Sequence, residues 1–287
     1  MKATKLTGEV LGRIQDHARE WGVVVEGTFE TESSAIAFGK RDNLSVVLKV
    51  IKKEGDEWLS GEVLEAFKGN GVARVYECVP GAVLLERLQP GHSLADMSLN
   101  GNDERATEIL CSVIRQMSAK EIPRASPTVH DWGKGFERYV ATGDDSIPNT
   151  LVQAAQRVFS ARCASQGAPR LLHGDLQHYN VLFDLNRGWL AIDPKGLVGE
   201  IEYEVGALLR NPIERPELFL SQAIIERRVQ QLSAKLKLDS NRALAWGFAQ
   251  AVLSAIWEIE DGFVVDSGSP ALRLANVIQA MMGLGVY

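Results

Sequence analysis

The spacing of apolar residues changes once along the chain, near residue 103, and this change limits the folds that the chain can adopt. Before it, short apolar runs alternate with turn residues, as strands do. After it, apolar residues recur at helical spacing, apart from a β island at 171–192. The pattern predicts an α+β fold of two lobes, a β-rich N-terminal lobe at 1–88 and a mainly helical C-terminal lobe at 89–287 with a small β insert.

The periodicity also places the individual elements. Strands are predicted at 23–25, 35–38, 45–51, 73–76, 82–85, 171–173, 181–183 and 189–192. Helices are predicted near 11–21, 56–67, 106–117, 150–165, 217–236, 240–259 and 270–283, and Asp103 is predicted to cap the third of them.

The composition is that of a globular protein of ordinary polarity. With 287 residues, 45% hydrophobic and 24% charged, the chain is unlike disordered or fibrous proteins. Its net charge of −6 argues against nucleic acid or an anionic membrane as the main partner. No apolar run reaches the roughly 18 residues of a membrane-spanning helix. The three cysteines are odd in number and far apart, which predicts a reducing, cytoplasmic location.

The clearest chemical signature lies around the β island. Asp175 and Asn180 stand five positions apart between two of its strands, and Asp193 ends a strand thirteen positions later. Phosphoryl transfer needs a carboxylate that accepts the proton of the attacking hydroxyl, and oxygen ligands that hold Mg²⁺ on the nucleotide phosphates. We therefore predict that Asp175 is the catalytic base and that Asn180 and Asp193 are Mg²⁺ ligands.

Two segments carry a family resemblance. They are His-Gly-Asp-Leu-Gln-His-Tyr-Asn at 173–180 and Arg-Gly-Trp-Leu-Ala-Ile-Asp-Pro-Lys-Gly-Leu-Val-Gly-Glu at 187–200. The chain resembles the aminoglycoside phosphotransferases, and within them the streptomycin 6-phosphotransferase branch that is grouped with hydroxyurea phosphotransferases. The resemblance implies a bilobal protein-kinase-like fold, ATP as phosphoryl donor and Mg²⁺ as cofactor.

The resemblance also implies a lysine and a glutamate in the N-terminal lobe. Lys49 matches the family's strand lysine, which contacts the α- and β-phosphates. Its implied partner is a glutamate on the following helix, which fixes the ammonium group against the phosphates. Glu57 and Glu62 both qualify, and we favour Glu62.

The nucleotide base and the phosphate loop have weaker signals. The run at 84–88, which contains Glu86 and Leu88, resembles the family's hinge strand, whose backbone amide and carbonyl groups would bind adenine. The loop at 27–34 lacks the glycine-rich pattern of protein kinases and resembles the degenerate loop of antibiotic kinases. Ser34 is the residue of this loop that we predict to contact phosphate.

The function that these predictions favour is an ATP-dependent small-molecule kinase. A nucleotide-binding pseudokinase, a metal-dependent phosphohydrolase and a protein kinase are the alternatives. A pseudokinase has no physical need for all of Lys49, Asp175, Asn180 and Asp193. A phosphohydrolase would need converging histidines and aspartates, and His17, His92 and His130 show no such clustering in sequence. The short stretch after Gly196 leaves no room for the long activation segment of a protein kinase.

The acceptor is predicted to be compact and cationic. Two acidic clusters are candidate walls for it, and streptomycin is the favoured acceptor because carboxylates pair well with its two guanidinium groups. The clusters are Glu200, Glu202 and Glu204, and Glu258, Glu260, Asp261 and Asp266. Hydroxyurea and other small hydroxylated metabolites remain alternatives.

Overall fold

The fold is described from a computed structural model, in which residues 8–119 and 121–283 are described. The strands are β1 Val24–Glu30, β2 Ser34–Arg41, β3 Leu44–Ile51, β4 Val75–Val79, β5 Ala82–Glu86, β6 Pro90–Ser93, β7 Arg170–Leu172, β8 Val181–Asp184, β9 Gly188–Ala191 and β10 Leu197–Gly199. The helices are α1 Gly8–Glu20, α2 Ser60–Phe67, α3 Leu94–Leu99, α4 Asp103–Gln116, α5 Val129–Thr142, α6 Asn149–Ala164, α7 Val205–Leu209, α8 Pro216–Phe219, α9 Gln222–Leu236, α10 Ser240–Glu260 and α11 Pro270–Met281.

The described residues divide into two units. The first unit extends to residue 92 and also contains 113–119, 121–124 and 181–196, and the remaining residues form the second. The division is therefore not a single cut between residues 88 and 89. One reason is that β8 and β9 join β6 in a three-stranded sheet. The assignment of separate functions to 1–88 and 89–287 stays a prediction.

A five-stranded antiparallel sheet dominates the first unit, in the order β1-β2-β3-β5-β4. Because successive side chains of a strand point to opposite faces, each strand contributes to two environments. Val46, Leu48 and Val50 of β3 belong to a core cluster with Ile14 of α1. Val47 and Lys49, which alternate with them, line a cavity on the opposite face.

The second unit is helical and is organised around α10. Almost every residue from Ala243 to Ile256 is buried, and α10 packs against α5, α6, α7, α9 and α11. Phe159, Tyr203 and Trp246 form edge-to-face aromatic pairs beside it. The short strands β7 and β10 pair antiparallel, and the loop that follows β7 carries Asp175.

The α+β fold class and most of the predicted elements are confirmed, and two differences concern charged residues. The helix predicted from residue 56 begins at Ser60, so Glu57 lies in a stretch of bends and turns. Asp103 is not a cap placed before its helix but the first residue of α4, and its carboxylate binds arginines of α9. Across the described ranges, no helix is long and apolar enough to cross a membrane.

Candidate active site

The cavity of the first unit is bounded by strands of the sheet and by the segment after β5. Its volume is about 330 Å³, and most of its lining is apolar, with Lys49, Glu86, Arg87 and Asp193 as charged members. The lining residues are Phe29, Thr31, Ile36, Phe38, Val47, Lys49, Ala73, Leu85, Glu86, Arg87, Leu88, Pro90, Gly91, Leu182, Ile192 and Asp193. A flat heterocycle attached to a charged group fits such a lining, because apolar walls bind the ring and few polar groups fix its direction.

Lys49 lies on the cavity wall and is held by two carboxylates. Its Nζ donates to Glu57 Oε2 at 2.9 Å and to Asp193 Oδ1 at 2.5 Å, and the residue is only 3% exposed. Burial lowers the pKa of Lys49, but the charges of Asp193 and Glu57 outweigh burial and leave the pKa raised. The ammonium group therefore stays charged in a place where phosphate oxygens could bind it.

The preference for Glu62 as the partner of Lys49 is wrong, because Glu57 forms the ion pair. Glu62 lies in the first turn of α2, whereas Glu57 precedes that helix. Burial would raise the pKa of Glu57, but Lys49 and Lys195 lower it to about 2. Lys195 donates to Glu57 Oε1 at 2.7 Å, so this carboxylate lies between two lysines, a contact that the sequence did not predict.

Asp193 follows β9 and adopts a left-handed backbone conformation, with φ of 59°. Such conformations are uncommon for residues other than glycine and cluster at functional sites. Its carboxylate, with a side chain 39% exposed, binds Lys49 and remains accessible. Carboxylate oxygens are ligands that Mg²⁺ accepts, so the residue fits its predicted role as a metal ligand.

The remaining predicted residues of the first unit have structural contacts of their own. Ser34 is 1% exposed, and its hydroxyl lies 2.8 Å from Thr31 Oγ1, in the turn between β1 and β2. The carboxylate of Glu86 binds Arg187 and accepts from the backbone amide of Arg74 at 2.8 Å. Glu86 and Leu88 line the cavity, and their role in binding adenine through the backbone stays a prediction.

Asp175 and Asn180 lie together in the second unit, in the loop after β7. The amide nitrogen of Asn180 donates to the carbonyl of Asp175 at 2.9 Å and to its Oδ2 at 3.3 Å. These bonds direct the nitrogen of the carboxamide to Asp175 and leave its oxygen as the atom that could bind a cation. Arg210, which follows α7, donates from Nη2 to Asp175 Oδ1 at 3.2 Å, and no sequence pattern signals this pair.

A buried glutamate supports the same loop from within. Glu204 Oε1 accepts from the backbone amide of Gly174 at 3.0 Å, and the residue is 4% exposed. Burial raises the pKa of Glu204 to about 7, although backbone hydrogen bonds oppose the rise. Glu204 therefore supports the loop that carries Asp175 and does not form the predicted acceptor wall.

Two more of the predicted acidic walls have partners within the second unit. Glu200 is 2% exposed and accepts from Arg242 Nε and from the indole of Trp246, each at 2.5 Å. Glu260 pairs with Arg138 at 3.0 Å. Glu258 differs from them, because it forms no hydrogen bond or salt bridge through its side chain within the described residues, and burial raises its pKa.

Residues 20–262 of this chain match the model of a protein family, the aminoglycoside/hydroxyurea antibiotic resistance kinases. This match confirms the family resemblance found in the sequence. The chain is 33% identical over 251 residues to streptomycin 3''-kinase of Klebsiella pneumoniae, and this alignment covers 84% of this chain and 91% of that protein. It is 28% identical over 266 residues to hydroxyurea phosphotransferase of Kitasatospora aureofaciens, covering 88% and 74%.

The fold is also similar to that of a solved structure. A thermostable mutant of the aminoglycoside phosphotransferase APH(4)-Ia, in a ternary complex with AMP-PNP and hygromycin B, matches with a TM-score of 0.66. The match covers 95% of this chain and 99% of that one, at 17% sequence identity. This likeness confirms the predicted kinase-like fold.

Proposed function

We propose that this chain, which belongs to the aminoglycoside/hydroxyurea antibiotic resistance kinase family, transfers the γ-phosphate of ATP to a hydroxyl group of a small cationic antibiotic. The observation that carries the proposal is the position of Lys49. Its ammonium group is held by Glu57 and Asp193 on the wall of a cavity of about 330 Å³ that is otherwise mostly apolar. Such a site suits a nucleotide, because the apolar walls bind the base and the lysine meets the phosphates.

Asp193 and Asn180 each offer an oxygen donor of the kind that Mg²⁺ prefers. In this proposal these two residues would hold the cation, and the cation would supply positive charge to the phosphates. The support is chemical: the donors are an accessible carboxylate and a carboxamide whose nitrogen is already bonded to Asp175. Lys49 binds the phosphates and keeps its charge because Glu57 stays ionised beside it.

Asp175 is the base of the proposed reaction. Its carboxylate is 27% exposed, so an acceptor hydroxyl can reach it, and Asn180 and Arg210 hold the two carboxylate oxygens in place. A fixed carboxylate orients the hydroxyl toward the phosphorus and takes its proton as the new bond forms. Little reorganisation is then required of the loop during transfer.

Streptomycin is the acceptor that we propose. The relative with 33% identity is named for this antibiotic, and the net charge of −6 favours a cationic ligand. Glu258 offers a half-buried carboxylate without a salt bridge in the described residues, as a guanidinium group would require. Hydroxyurea is the second candidate, because another relative is named for it.

A cytoplasmic location stays a prediction that accompanies this function.

The test is acceptor-dependent release of ADP. The purified chain is incubated with Mg·ATP and a panel of streptomycin, other aminoglycosides, hydroxyurea and neutral sugars, at low and moderate ionic strength. We expect streptomycin to stimulate ADP release, mass analysis to show one added phosphate, and salt to raise KM, since exposed charge pairs are screened. Asp175→Asn serves as the inactive control. Turnover confined to neutral or anionic acceptors would refute the cationic acceptor, and no turnover of any acceptor would refute the kinase activity.

A further inference from the structure

The segment that carries Glu57 has no regular structure of its own. Residues 52–59 form bends and turns, and α2 begins only at Ser60. The residue before the helix, Leu59, provides no side-chain cap. A helical ladder of hydrogen bonds therefore does not fix the backbone at Glu57, and the direction of its carboxylate depends on the groups that bind it.

Three side chains bind that carboxylate. Oε2 accepts from Lys49 Nζ at 2.9 Å and from Ser33 Oγ at 3.1 Å. Oε1 accepts from Lys195 Nζ at 2.7 Å. Both oxygens are thus occupied, and Lys195 is the partner that binds the oxygen facing away from Lys49.

Lys195 comes from a segment that is packed closely against α2. Gly196, the next residue, has φ of 76°, and a Cβ atom built on it would lie 2.3 Å from Cγ2 of Val63 in α2. Only glycine can adopt this conformation and approach so closely without strain. The backbone next to Lys195 is therefore fixed against α2, and this restrains the position from which the Lys195 side chain binds Glu57.

We propose that Lys195 is a positioning residue for nucleotide binding: it holds Glu57, and Glu57 holds Lys49 toward the phosphates. This inference rests on the proposed function, because it concerns the same nucleotide site. In this chain the lysine that follows the predicted metal ligand supplies the restraint that a helical position would otherwise give to the glutamate.

The charges of the site support this role. Lys49 and Lys195 carry two positive charges, and Glu57 and Asp193 carry two negative charges, so the four side chains together are neutral. Without Lys195, Lys49 would lie between two carboxylates of which only Asp193 had a firm position, and it would turn toward that residue.

The test measures the binding of Mg·ATP by titration calorimetry on full-length variants. We expect Lys195→Gln to weaken binding about tenfold and Lys195→Arg to stay within about threefold of wild type, since arginine keeps the charge and the donor. Lys53→Gln is the matched control, because Lys53 is exposed on the same irregular segment, and it should change affinity by less than about twofold. Thermal unfolding checks that each variant is folded, and Lys195→Ala gives a second truncation.

A double-mutant cycle separates this role from a direct contact with phosphate. If Lys195 acts through Glu57, Lys195→Gln should lose its effect, to within about twofold, when Glu57 is already Gln. An undiminished tenfold effect in the Glu57→Gln background would overturn the inference, as would unchanged affinity of Lys195→Gln alone. A wild-type chain that does not bind Mg·ATP would instead overturn the proposed function, and the inference with it.

Discussion

Asp103→Asn is predicted to destabilise the second unit strongly. Asp103 Oδ1 accepts from Arg228 Nη2 at 2.6 Å and from Ser98 at 2.8 Å, while Oδ2 accepts from Arg228 Nε at 3.0 Å. Nη1 of Arg228 in turn donates to the carbonyls of Leu208 at 3.1 Å and Asn211 at 2.8 Å, near the end of α7. The substitution keeps the shape of the side chain but leaves the guanidinium group buried without its counter-charge.

The structure sets the size of this effect. Asp103 is 7% exposed and Arg228 is fully buried. Burial would raise the pKa of Asp103, but the hydrogen bonds and charge of Arg228 lower it from 3.8 to about 2. This drop corresponds to about 2.4 kcal/mol of stabilisation of the charged form. Removal of one partner of a buried pair costs more, about 3 to 5 kcal/mol, because the other charge remains uncompensated.

The assay is urea unfolding followed by circular dichroism, with wild type and variant compared at each pH. The unfolded chain takes up the proton near the ordinary pKa, whereas the folded chain does so only near pH 2. The stabilisation is therefore complete above about pH 4 and is lost as the pH falls toward about 2, so the two curves should converge there. Glu108→Gln, in an exposed pair with Arg105, should leave the urea midpoint close to that of wild type. A loss below about 1 kcal/mol at pH 7, or a gap that does not narrow in acid, would refute the reasoning.

Three further predictions concern the proposed reaction. Asp175→Asn should lower kcat by orders of magnitude, measured as ADP release, and leave Mg·ATP affinity nearly unchanged; a variant within threefold of wild type would contradict the role of base. Asp193→Ala should weaken nucleotide binding in the presence of Mg²⁺ and much less in its absence, by calorimetry; equal affinity with Mg²⁺ would argue against metal ligation. Glu57→Gln should weaken Mg·ATP binding about tenfold while Glu62→Gln stays within about twofold, and the reverse order would contradict the ion pair with Lys49.

The periodicity of apolar residues predicted those strands and helices in which buried residues follow a regular pattern along the segment itself. β3 was recognisable because Val46, Leu48 and Val50 repeat with period two and pack on α1. The same alternation placed Lys49 on the other face, where the cavity lies. α10 was recognisable as a long apolar segment, since nearly all of its residues from Ala243 to Ile256 are buried. In these cases local pattern and tertiary packing agree.

The partner of Lys49 depended on a boundary that the sequence did not mark. Apolar residues such as Trp58 and Leu59 continue the helical pattern toward residue 56, and a helix starting there would have made both glutamates helical. The actual start at Ser60 has no side-chain cap, so no capping signal was available. Glu57 then fell into a turn, from which its carboxylate reaches Lys49 and Lys195.

Buried charge explains the larger failures of sequence reasoning. Glu200 pairs with Arg242, and Asp103 pairs with Arg228, at separations of 42 and 125 positions. Each carboxylate belongs to a stretch that by itself looks like a solvent-facing helix end or acidic cluster. An ionised group is retained in the interior only where a counter-charge meets it, and the fold alone decides whether one does. The residue pattern within one segment therefore could not distinguish carboxylates that are buried in ion pairs from carboxylates that a ligand can reach.

The distinction between paired and unpaired carboxylates reduces the number of predicted wall residues that could bind a cationic acceptor. A carboxylate such as Glu200, already bonded to Arg242 and Trp246, cannot turn to a ligand without breaking both bonds and leaving the buried indole without its acceptor. Glu258 forms no hydrogen bond or salt bridge through its side chain within the described residues. Burial raises the pKa of Glu258, and the charge of Arg210, which binds Asp175, opposes this rise. Glu258 is therefore a predicted wall residue whose carboxylate has no hydrogen-bond or salt-bridge partner within the described residues, and selectivity for a guanidinium group should depend on it more than on Glu200 or Glu260.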